Sequence, residues 1–131
     1  MSTISRFVRP ETVTIPISDG DTLTVRKQLS YGERRAMFAR WYDLGATPVR
    51  VNTLQTGIAL VATYLVDWTL SDEEGQKVPI RGLSIDELVT VIDQLHPDAF
   101  AEIKTAIEAH IEAIDAAEAQ EKKRMTAGAV A

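Results

Sequence analysis

The chain has 131 residues, a formal net charge of −5, 45% hydrophobic and 25% charged residues, and no cysteine. That is the length and composition of one globular domain with an ordinary core, and the missing cysteines exclude disulfides, Cys-ligated zinc and thiolate chemistry. The charge is uneven: residues 1–50 carry eight Lys/Arg against five Asp/Glu (+3), and residues 51–131 carry six against fourteen (−8). Unlike ends of neighbouring copies can therefore attract one another.

Residues 1–10 read as a flexible arm, with no apolar segment of the kind that marks a secretory signal. Next, Val13, Ile15 and Ile17 alternate with Thr12, Thr14 and Pro16, while Leu23, Val25, Lys27 and Leu29 share one parity. Ser18-Asp19-Gly20-Asp21 between them tolerates tight-turn dihedrals, so residues 11–29 are expected to form a β-hairpin. Pro16 has no N–H to give a ladder, which puts its strand at an edge or that position toward solvent.

Ser30-x-x-Glu33 is a capping box and predicts a helix over 31–44, with Ala36, Met37, Trp41 and Leu44 inward. Gly45-Ala46-Thr47-Pro48 should end it. A second helix is expected over 51–70. Its stripe of Leu54, Ile58, Val61, Leu65 and Trp68, widened by Ala62 and Val66, marks it as the most buried one. Val51 to Val66 is also the longest uncharged run, too short and too polar to cross a bilayer, so a soluble protein without membrane contact is expected. A polar loop, Ser71 to Pro79, follows.

Ser84-x-x-Glu87 is a second capping box and opens a helix over 85–95, with Leu88, Val91, Ile92 and Leu95 inward. His96-Pro97 starts the last helix, 97–123, since proline suits the first helical turn. Phe100, Ile103, Ile107, His110 or Ile111, Ile114 and Ala117 form its narrow apolar seam, and 124–131 reads as a flexible tail. The expected class is α+β: one domain over 11–123, an N-terminal β-hairpin followed by about four helices.

Signatures of chemistry are sparse. No Gly-rich phosphate loop, GxSxG or HExxH occurs, so no catalytic residue, cofactor or metal is expected. His96 and His110 stand in separate helical contexts. Asp72-Glu73-Glu74-Gly75 lacks the ligand spacing of an EF-hand and reads as a solvated turn. Asp67, between Val66 and Trp68, requires an ion-pair partner or an outward position. Arg34, Arg35 and Arg40 beside Trp41 and Tyr42 resemble a nucleic-acid patch, but the patch is short and the domain acidic, so no nucleic acid is expected. The last helix is the better binding surface: its seam either takes a partner helix or packs on the second helix. Trp41, Tyr42, Phe100, Ile107, His110, Ile111 and Ile114 are the candidate partner-binding residues.

Several segments carry a resemblance. They are Asp19-Gly20-Asp21, Val25 to Glu33 (VRKQLSYGE), Tyr64 to Asp72 (YLVDWTLSD), Val78-Pro79, and Leu95 to Ile103 (LHPDAFAEI). Over most of residues 11–112 this order resembles tail assembly chaperones and related small tail proteins of long-tailed bacteriophages. The resemblance implies a non-enzymatic role in the bacterial host cytoplasm. Its partners would be the helical tape-measure protein, the tail-tube protein and further copies of itself, with a small structural protein retained in the virion as the alternative. No family residue role carries over, since the shared segments are structural.

Overall fold

The computed structural model describes residues 6–43, 48 and 50–129. Strands β1 (Thr12–Pro16) and β2 (Thr22–Arg26) form the expected hairpin, joined by a 3-10 turn at Ser18–Gly20. That turn places Asp19 at φ 60° and Gly20 at φ 78°, the left-handed region that Gly adopts freely and Asp tolerates. Helix α1 (Tyr31–Trp41) leads to the short strands β3 (Tyr42–Asp43) and β4 (Arg50–Val51), which pair antiparallel. Helix α2 (Thr53–Tyr64) runs directly into β5 (Leu65–Trp68), and α3 (Ile85–Ile92) and α4 (Pro97–Ala129) complete the chain. The class is α+β: a three-stranded antiparallel sheet, in the order β1-β2-β5, with four helices.

Pro16 sits as its chemistry requires. Lys27 N–H donates to Glu11 O and Ile17 N–H to Asp21 O, so the odd-numbered residues of β1 bond to β2. Thr12, Thr14 and Pro16 then direct their backbone away from β2, on the free edge of the sheet.

The second helix is shorter than expected, because residues 65–68 are a strand. β5 pairs with β2 as Leu23↔Trp68, Thr24↔Asp67 and Val25↔Leu65, with the register slipping by one at Val66. This bulge turns Leu65 and Trp68, three apart, onto the same buried face that Leu23 and Val25, two apart, occupy on β2. Three-residue spacing is also the spacing of a helical stripe, which is why the sequence reads as one long helix. Pairing with β2 gives partners to the backbone groups of 65–68 that face it, and it completes the sheet.

Helix ends differ elsewhere. α1 stops at Trp41 because Tyr42 turns extended (φ −98°, ψ 139°) and enters β3, and α3 stops at Ile92. α4 continues to Ala129, past the tail expected from residue 124. Residues 1–5 of the expected arm, Leu44, Gly45-Ala46-Thr47 and the last two tail residues lie outside the described residues, as does the side chain of Leu54. Ala36 and Ala117, expected inward, are exposed.

Both capping boxes are formed. Glu33 N–H donates to Ser30 Oγ at 3.2 Å and Ser30 N–H to Glu33 Oε1 at 2.9 Å, and the Ser84–Glu87 pair matches them at 3.2 and 3.1 Å. The core lies between the inner face of the sheet and the helices. Leu23, Val25, Val61, Ile103 and Ile107 are its largest fully buried side chains, each contributing about 1.5–3 kcal/mol by leaving water. α2 is the central helix, in contact with α1, α3 and α4.

The loop after β5 is held from both sides. Trp68 Nε1–H donates to Val78 O at 2.8 Å, and Arg81 and Lys77 flank the Asp67 carboxylate at 3.3 and 3.6 Å. Burial pushes the Asp67 pKa up, but the Trp68 N–H, Lys77 and Arg81 together outweigh it and hold the carboxyl below its usual range. The sequence expectation of an ion pair at Asp67 is met. Asp72 Oδ1 accepts the N–H groups of Glu74 and Gln76, which ties the acidic stretch into a turn.

Candidate functional site: a groove between α2 and α4

Helices α2 and α4 do not close fully at the end nearest Trp41. They leave an open groove of about 370 Å³ lined by Trp41, Thr56, Gly57, Leu60, Lys104, Glu108, Ile111 and Glu112. Gly57 forms its floor. A Cβ there would lie 3.2 Å from Lys104 Cε and 3.8 Å from the tip of Phe100, so the absent side chain lets the Lys104 stem cross α2 closely. The Lys104 ammonium then reaches Glu108 at 3.7 Å on its own helix. Leu60 and Ile111, both half-buried, supply apolar wall, and Glu108 and Glu112 supply an acidic rim.

Trp41 stands at one side of this groove with its ring edge-on to Phe38, centroids 4.6 Å apart at 69°. Its indole N–H is buried and has no acceptor among the described residues. A buried donor left unpaired costs about 1–3 kcal/mol; among the described residues Thr63 Oγ1 is the other buried side-chain polar atom without a partner.

The seven candidate partner residues separate into distinct environments. Trp41 and Ile111 meet in the groove, and Phe100 packs beside its floor. Tyr42 is 46% exposed on β3 but does not line the groove. Ile114 lines a small cleft with Lys27, Arg34 and Tyr64. Ile107 and His110 offer a partner little or no accessible surface in this conformation. Ile107 is completely buried, and His110 Nε2 lies 3.1 Å from the backbone oxygens of Arg26 and Lys27. The seam therefore packs mostly inward, against the hairpin and α2, and only its Ile111 side stays open. Gly57, Leu60, Lys104, Glu108 and Glu112 were not among the candidates. A glycine inside a helix was the available signal, since it costs about 0.5–1 kcal/mol relative to alanine and marks a close approach.

A second hollow, of about 360 Å³, lies between α1, β5 and residues 80–85. Two of its lining residues, Arg26 and Glu33, pair with each other at 3.1 Å, and Arg26 Nε–H donates to Thr63 O. Among the described residues, no three His, Asp or Glu side chains gather to hold a metal ion, and no helix is long and apolar enough to cross a membrane.

Fold and groove together define an α+β domain whose open feature is a mostly apolar helix–helix groove with an acidic rim. No protein-family model, curated protein or solved structure matches the chain.

Proposed function

We propose that the protein is a tail assembly chaperone of a long-tailed bacteriophage. It binds helical segments of the tape-measure protein in the host cytoplasm and helps recruit tail-tube subunits. The observation that carries the reading is the groove: Trp41 and Ile111 flank a floor opened by Gly57, a form suited to the apolar stripe of a helix. Tryptophan is among the side chains enriched at energetic centres of protein contacts. An incoming backbone or side-chain oxygen would satisfy its buried N–H. The rim acids Glu108 and Glu112 favour a ligand helix with flanking Lys or Arg. The sequence resemblance over most of residues 11–112 supplies the biological setting.

A groove this open suits reversible binding, as a chaperone that must leave the tape measure requires. The test is co-expression with the longest helical protein encoded nearby, followed by co-purification. The chaperone reading predicts that the partner becomes soluble and co-purifies, that Trp41→Ala abolishes this, and that purified particles lack the protein. Stoichiometric presence in particles would assign it to the virion instead.

A further inference from the structure

The last part of α4 leaves the body of the protein. Ile114 is half-buried, every residue from Asp115 to Arg124 is exposed, and the helix continues to Ala129. The exposed stretch 115–124 is shorter than the ~12–15 residues below which an isolated helix is marginal in water. Packing or charge pairing must support it.

The charges on α4 are ordered. From Glu108 onward, Glu108, Glu112, Asp115, Glu118 and Glu121 come with no Lys or Arg among them, and Lys122, Lys123 and Arg124 follow. Ile103, Ile107 and His110 mark the side of α4 that faces the core. At about 100° per residue, the opposite side carries Ala109, Glu112, Ala116, Ala119 and Lys123. Their steps of three, four, three and four match the seam of a two-helix pair. If a second copy lies antiparallel with its Ala119 against Ala116, Glu112 of each chain meets Lys123 of the other. The two-fold axis makes both contacts at once. A parallel arrangement would set Glu112 on Glu112 and Lys123 on Lys123, which is repulsive. The alanines between the charges let the two backbones approach.

We propose that the outer side of α4, residues 109–124, is a self-association surface. It pairs antiparallel with the same segment of a second copy, Glu112 of each chain against Lys123 of the other. The contact stands whether or not the tape-measure reading holds, because it derives from charge order and exposure alone.

Sedimentation of the full chain tests this at about 0.05 M and 0.5 M salt, since ion pairs at an exposed seam are screened as salt rises. The expected result is a dimer at low salt that weakens at high salt. Glu112→Lys and Lys123→Glu should each weaken self-association about tenfold or more, with helix content unchanged by circular dichroism. An equimolar mixture of the two variants should dimerise again, because every contact in the mixed pair is once more acid against base. A wild-type chain that stays monomeric at low salt would overturn the proposal. So would either variant dimerising alone as well as wild type, or a mixture no better than its components.

Discussion

His110 Nε2 lies 3.1 Å from the main-chain oxygen of Arg26, a residue 84 positions earlier, and at the same distance from that of Lys27. Both partners are carbonyls, so the nitrogen must carry the proton and donate to each. One side chain on α4 thereby ties off the end of β2, while Tyr64 packs edge-on to its ring with centroids 6.5 Å apart. His110→Ala should destabilise the fold by about 2–4 kcal/mol, from two orphaned carbonyls and a cavity. His110→Phe keeps a ring but no donor, and should recover only part of that loss. Urea unfolding at neutral pH measures both; equal stability of His110→Phe and wild type would remove the hydrogen bonds from the account.

The groove separates binding from folding. Trp41→Ala and Ile111→Glu change half-buried positions, so each should leave a folded protein that binds a helical partner at least about tenfold more weakly. Ile107→Glu places a charge at a fully buried site and should abolish folding itself. Circular dichroism beside partner titration distinguishes these outcomes.

Gly57→Ala probes the groove floor. Alanine gains helix propensity of about 0.5–1 kcal/mol, but its Cβ would meet the Lys104 stem at 3.2 Å. That stem is flexible, so the expected result is near-neutral stability with a displaced Lys104. Gly57→Leu should fill the groove and block the partner while the fold persists.

Asp67 gives a pH signature. Its folded pKa lies below the usual value of 3.8, so its contribution is present above that value and is lost as pH falls through the folded pKa. Asp67→Asn should therefore lower stability by about 0.5–1.5 kcal/mol at neutral pH. The gap from wild type should close as pH drops below about 4. Thermal melts from pH 7 to pH 2 report it, and a gap that stays constant would exclude the carboxylate as its source.

Removing either capping hydroxyl, as Ser30→Ala or Ser84→Ala, should cost about 1 kcal/mol. The two boxes lie on separate helices, so the losses should add within about 0.5 kcal/mol. Ser30→Ala should cost the more, because Glu33 also pairs with Arg26 at 3.1 Å and links the start of α1 to β2.

The two capping boxes, the hairpin with its left-handed turn, the edge position of Pro16 and the ion pair at Asp67 were all legible in the sequence alone. Each depends on residues within a few positions of one another, or on one chemical requirement that any fold must meet. The boundary at Tyr64 was not legible. Leu65 and Trp68 satisfy a helical stripe and a bulged strand equally well, and only the unpaired side of β2, forty residues earlier in the chain, decides between them. The seam of α4 shows the same limit: its periodicity established an apolar face, but packing against the hairpin buried Ile107 and His110 and left Ile111 open. The groove likewise exists only where Gly57, Lys104 and Trp41 converge from three helices. Local chemistry was written in neighbouring residues; which faces remained free was decided by contacts between distant ones.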